Sequence, residues 1–180
     1  MNNSNHPDKG NYLRFFAMIG TSTVLMFFLM YLHSYQLLDH AWFSETRLFM
    51  TLIMGASMTL VMLAFMLSMY KNSTVNKAIF GGAALFFALA VWLVRSQVTV
   101  TGTDYMEGMI PHHSIAILTS ERAQIKDPRV RELANEIIKA QRREIKEMEW
   151  LIDDIEKNGV AQTMEEAARR PVPDFSGSGE

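Results

Sequence analysis

Three long stretches of this 180-residue chain carry no charged side chain: Phe15 to Leu32, Leu48 to Met69 and Ala78 to Val94. No other feature restricts its fold as strongly. A hydrocarbon layer about 30 Å thick is crossed by roughly 20 helical residues, and backbone polar groups inside it must bond within their own segment. Each stretch therefore predicts a membrane-crossing α-helix, with spans at 15–32, 48–69 and 78–94. The first follows Lys9 and Arg14 and lacks a small-x-small cleavage site. It is also longer than the apolar core of a secretory signal, so it reads as an uncleaved anchor.

Orientation follows from the short flanks. Lys9 and Arg14 precede the first span, and Lys71 and Lys77 lie between the second and third; the other side offers Arg47 and Arg95. Positive-inside bias then puts residues 1–14 in the cytoplasm and residues 96–180 outside it, in the periplasm of a cell with two membranes. Tyr31, Tyr35, Trp42 and Trp92 fall near the outer interface, where amphipathic rings are favoured. The second span carries Met50, Met54, Met58, Met62, Met66 and Met69. Steps of four residues advance a helix by about 40° each, so this row winds around the helix and holds no single face. It reads as adaptable packing in preference to the alternative, a thioether ladder that passes a soft metal. Gly55, Ala56 and Ser57 in span two, with Gly81, Gly82, Ala84 and Ala88 in span three, allow close helix approach.

Charge divides the chain. Of its 19 acidic residues only Asp8, Asp39 and Glu45 precede Thr101. The later part is a mildly acidic, water-soluble segment, which excludes a basic nucleic-acid surface. With no cysteine, disulfides and thiolate sites are excluded, and a soft-metal site has to use methionine or histidine.

After a linker at 96–102, Thr103 predicts a helix cap, with Asp104 and Glu107 at the positive end. That helix is expected to run to about Ile125, where Lys-Asp-Pro interrupts. Asp127 caps the next, Pro128 takes its first turn, and Asn158-Gly159 stops it. Thr163 and Glu166 suit a short third helix, and the tail after Pro171 reads as disordered. Ala134, Ile138, Gln141, Ile145, Met148, Ile152 and Ile155 form an alternating four–three seam on the long helix, the spacing of a packed bundle. Met106, Ile110, His113 and Ile117 repeat similarly on the first arm, with Met109, His112 and Ala116 alongside. The domain at 103–158 is thus an antiparallel helical hairpin. Two helices bury little, so a homodimer forming a four-helix bundle is expected.

Folding the hairpin about residues 126–127 sets Met109 opposite Glu144 and His112 opposite Gln141. Met148 lies about one turn away, near Tyr105. The polar and sulfur-bearing intruders on both seams thus gather at one level. Pro111 cannot donate to the carbonyl of Glu107, so a kink there opens room or frees an oxygen. Imidazoles and thioethers suit Cu(I) or Ag(I), while imidazole with carboxylate accepts Cu(II) or Zn(II). Met109 shares a helix face with both His112 and His113. The two histidines are about 100° apart and do not close one tight site together. Asp104, Met106, Glu107, Gln141 and Glu144 are weaker candidates near the site. No Glu-x-x-His pair, H-E-x-x-H, G-x-S-x-G or phosphate loop is present, so no catalytic residue and no organic cofactor is expected.

"DYMEGMIPHHSIAI" at 104–117 and "ELANEIIKAQRREIKEMEWL" at 132–151 resemble the domain of unknown function 305 family, which includes periplasmic copper-binding proteins of ferritin-like helical architecture. In this chain Met148, Glu149, Trp150 and Leu151 stand one residue shorter before Trp than the family's Met-x-x-Trp-Leu. The membrane half lies outside the resemblance. The family implies copper or silver binding through the matching Met109, His112, His113 and Met148.

The expectation is a membrane-anchored, non-enzymatic protein binding Cu(I) or Ag(I) for buffering, tolerance or transfer to a copper-handling partner. Met109, His113 and Met148 would be inward ligands, and His112 a ligand or second-site residue. Gln141 and Glu144 would orient an imidazole. The alternative is a membrane-tethered hairpin that oligomerises or docks a partner without metal, its histidines serving as packing or pH-sensitive contacts.

Overall fold

A computed structural model describes residues 7–32 and 42–177. Of the aromatic residues expected at the outer interface, Tyr35 lies outside the described residues. Those described form α-helices and no strand: α1 Pro7–Leu29, α2 Glu45–Phe65, α3 Ser73–Ser96, α4 Gly102–Arg122, α5 Pro128–Asn158 and α6 Met164–Arg169. The chain divides into two compact units. One comprises the residues up to Met30 with Thr46–Thr99; the other comprises Tyr31–Glu45 with Val100–Glu180.

In the first unit, Asn11–Leu29, Glu45–Phe65 and Ser73–Ser96 are long and apolar enough to cross a bilayer. Their outward residues are apolar too. Leu13 is 73% exposed, Phe65 86% and Leu85 73%. A water-soluble helix turns such residues inward, whereas hydrocarbon accepts them on every side. Phe15, Ile19, Leu63 and Tyr70 form the buried cluster, and Met58, Met62 and Met66 pack against it. These three methionines thus fill core space. Gly55 lets α1 and α2 approach: a Cβ there would fall 2.8 Å from Thr23 Oγ1. Tyr12 donates to Asn76 Oδ1 at 2.6 Å, and Asn76 Nδ2 donates to the Tyr70 carbonyl at 2.8 Å, which satisfies a buried amide.

The helix boundaries differ from the charge-free runs. α1 starts before Phe15, because Pro7 fits the first turn of a helix and a helix need not stop where the lipid does. α2 begins at Glu45 and ends at Phe65, short of the expected Met69. Met66 to Met69 form a turn in which Met66 N donates to Leu63 O and Met69 N to Met66 O. α3 ends on Gln97, whose φ of 52° is left-handed.

The second unit holds the hairpin, α4 against α5. Asp127 caps α5 by accepting from Arg129 N, Pro128 opens the helix and Gly159 follows its end, as the sequence predicts. The cap of α4 is a correction: Thr101, not Thr103, accepts from Asp104 N, and the Asp104 carboxylate accepts from Thr101 N at 2.9 Å. Only Thr101 has an acidic residue three places on, which closes a reciprocal capping box. α4 also ends earlier than expected, at Arg122, where Arg131 reaches over to donate to the Ser120 and Ala123 carbonyls. Thr163 caps α6, accepting from Glu166 N. Arg170 ties the segment after α6 to Asp154 at 2.6 Å. Residues 171–177 have no helix or strand.

Met106, Ile110 and Ile117 from α4 meet Ile145, Met148 and Ile152 from α5 in one buried cluster, flanked by Met109, Ile138, Leu151 and Ile155. The predicted seams are the packed faces.

Candidate metal centre

Each candidate donor takes its setting from its place on α4 or α5. Met106 is 8% exposed and Met148 9%, both inside the hairpin core, with Met109 packed against it. Two thioethers are therefore buried in the cluster and a third, half-buried, packs against it. His113 lies on the same side of α4, and its side chain is only 13% exposed. His112, one residue earlier and so about 100° around the helix, is exposed. The two rings lie 6.2 Å apart between centroids and 56° from coplanar.

His113 Nδ1 is buried and makes no hydrogen bond. Glu144 Oε2 stands 3.3 Å away, near enough for Coulombic attraction when the ring is protonated. Gln141 Nε2 lies 3.5 Å from the same carboxylate oxygen, so Gln141, Glu144 and His113 form a row across the hairpin. Burial lowers the His113 pKa; Glu144 opposes that shift and His112 adds to it. The shift favours the neutral imidazole, the form that coordinates metal.

Glu144 meets His113, one turn further along α4 than Met109, the residue that counting about 126–127 sets opposite it. Cα–Cβ bonds tilt toward the N-terminus of their own helix. In an antiparallel pair the two tilts run oppositely, and side-chain contacts slip from backbone levels by up to a turn.

The remaining candidates divide by role. Asp104 is committed to the α4 cap, and its bonds to Thr101 hold its carboxyl below the ordinary range. Glu107 is half-buried; desolvation first, then Asp104 and Glu156, raise its pKa. Among the described residues no three His, Cys, Asp or Glu side chains gather where a metal could sit. Zn(II) in a four-ligand structural site and Ca(II), which takes six to eight oxygens, do not fit. Thioethers with one neutral imidazole fit a soft monovalent ion.

One contributor was not foreseen. Trp42, expected at a lipid interface, packs against the hairpin cluster. Ser44, 2% exposed, sits so close to α4 that a Cβ on Gly108 would fall 3.1 Å from its Oγ. The available signal was Gly108 itself, a glycine inside a helix with no turn to explain it.

The class is thus an all-α chain with three helices of bilayer-crossing length, followed by a helical hairpin bearing Met-Ile-Pro-His-His on its first arm. Residues 102–176 match the model of the family described as Domain of unknown function (DUF305). An uncharacterized protein of Acanthamoeba polyphaga mimivirus is 41% identical over 68 residues, which are 37% of this chain and 45% of that protein. The chain thus spans less than half the length of this relative. No solved structure matches.

Proposed function

We propose that this is a membrane-anchored, non-catalytic protein that binds Cu(I) or Ag(I) outside the cytoplasm and buffers the ion or passes it to a partner. The observation that carries this reading is the buried, unbonded Nδ1 of His113 in a hairpin whose core holds Met106, Met148 and the adjacent Met109. A buried imidazole nitrogen without a hydrogen bond is destabilising, and a soft cation offers it compensation. Met109, His113 and Met148 would be the ligands. Glu144, 3.3 Å from the same Nδ1 and with Gln141 behind it, would stand beside the bound ion and offset its charge. His112 would serve a second ion or reach a second copy of the chain. The ion is cargo, held without a reaction.

The topology is supported from within the second unit. Trp42–Ser44 precedes α2 and packs with the hairpin that follows α3. Two crossings, by α2 and α3, return the chain to the side it left. Positive-inside bias makes that side the outer one. Membrane lipid and a second copy are the expected partners.

The test is competition of the full chain in nanodiscs with a Cu(I) chelator. Binding is expected in the natural chain and lost in the His112→Ala, His113→Ala double variant; equal affinity in both refutes the assignment. A docking module without metal is favoured by one observation, the exposed Tyr105, Val130 and Leu133 on the hairpin. It predicts no chelator-sensitive binding and an assembly state that metal does not change.

A further inference from the structure

The segment after α6 reads Pro-Val-Pro-Asp-Phe between Arg170 and Ser176. Pro171 and Pro173 fix their own φ and bias Arg170 and Val172 toward extended backbone. Such a segment has little freedom left to lose when it is held. Arg170 holds its start: one guanidinium nitrogen reaches Asp154 Oδ2 at 2.6 Å, and the other donates to the Gly159 carbonyl at 3.2 Å. Asp154 Oδ1 accepts from Asn158 Nδ2 at 2.9 Å, so both carboxylate oxygens are engaged. The side chains of Arg170 and Asp154 are 26% and 14% exposed, against 67% and 57% for the Lys157–Asp153 pair nearby. Solvent screening leaves open pairs weak; this one is largely covered. Farther along, Phe175 is half-buried. Bonds from Ser176 first, and Arg143 after them, hold the Asp174 carboxyl below its ordinary range. Ser176 borders a small surface cavity with Glu136, Lys139, Ala140 and Arg143.

These contacts run back along α5, from Asp154 near its end to Ala140 near its middle. That stretch of helix rises about 21 Å, and six extended, Pro-rich residues reach about 19 Å, so the length of the segment fits the track. Glu136, Arg143 and Asp154 lie roughly opposite the seam residue Ile145 around α5, on the side away from α4. The charges match in register. A cation of the segment meets Asp154 at one end, and its anion Asp174 comes near Arg143, which also reaches Glu147 at 3.4 Å, toward the other. We propose that residues 170–176 form an intramolecular strap, latched by Arg170, that occupies the outer face of α5. The contact is autoinhibitory in the plain sense: another segment gains this face only when Arg170 lets go of Asp154 and Gly159. The strap does not depend on the metal-binding reading.

The experiment uses the full chain in nanodiscs. The natural chain has no cysteine, so an introduced pair reports alone. A short bismaleimide is expected to join the cysteines of the Ser176→Cys, Lys139→Cys variant within one chain. In the control, Ser176→Cys with Lys157→Cys, the second cysteine lies about 27 Å along α5 from Lys139, and cross-linking is expected to be slow. Adding Arg170→Ala or Asp154→Ala to the first pair should slow its cross-link roughly tenfold, the scale of a lost hydrogen bond to a charged group. Circular dichroism should show the helices intact in each variant. Equal rates with and without Arg170, or equal rates for the Lys139 and Lys157 positions, overturn the strap. A cross-link that joins two copies, with none inside one chain, overturns it as well.

Discussion

Ile110 is the sharpest test of the packing that positions the centre. It is fully buried, sits between Met109 and Pro111, and belongs to the cluster shared by α4 and α5. Ile110→Ala removes about three carbon groups, worth about 2.4 kcal/mol in transfer free energy. A residual cavity adds to this, and core Ile→Ala changes span about 2 to 5 kcal/mol. The hairpin is only two helices thick and relaxes more readily than a deep core, so the expected loss is near 3 kcal/mol. Since about 1.4 kcal/mol is a factor of ten, amides of α4 and α5 that exchange through opening of the hairpin should exchange roughly a hundredfold faster. Hydrogen exchange read by mass spectrometry on the full chain in nanodiscs measures this. Tyr105→Ala, on the same helix but with Tyr105 57% exposed, should stay within about 0.5 kcal/mol. Equal effects of the two substitutions, or a loss below about 1 kcal/mol at Ile110, would refute the packing described.

Three further outcomes follow from the same geometry. Burial holds the His113 pKa below its ordinary 6.5. A base so depressed gives its full stabilisation above pH 6.5 and loses it as pH falls through the folded-state value; exchange protection of the hairpin should therefore weaken below pH 6.5, and less so in His113→Asn. Thr101→Ala removes the capping box of α4 and should cost about 1 kcal/mol, seen as faster exchange in the first turn of α4. Gly55→Ala brings a methyl to 2.8 Å from Thr23 Oγ1 and should cost about 1 to 3 kcal/mol. Thr23→Ala in the same chain should restore most of the lost thermal stability in detergent.

The helical architecture was legible because its signals are local. Charge-free runs of bilayer length, Asp127-Pro128 at one end of α5 and Gly159 at the other act within a few residues of where they stand. The seam from Ala134 to Ile155 was legible for the same reason, since its period alone selects a face. The α4 cap was misplaced because two threonines compete there, and the choice rests on the partner at the third position: Asp104 for Thr101, Met106 for Thr103. The meeting of His113 with Glu144 was displaced because level counting follows backbones, while side chains lean along them. Trp42 and Ser44 were illegible as neighbours of the hairpin. Ser44 approaches Gly108 and Trp42 the hairpin cluster across two intervening helices, and an aromatic residue beside an apolar run carries the same local pattern whether it faces lipid or protein.

X-ray absorption at the copper edge of the Cu(I)-loaded full chain tests the central claim most directly, because it reads the donor atoms themselves. The account predicts a low-coordinate first shell containing both sulfur and imidazole nitrogen, with the sulfur contribution reduced in Met109→Leu and Met148→Leu. A shell of nitrogen and oxygen alone, unchanged by those substitutions, would contradict it.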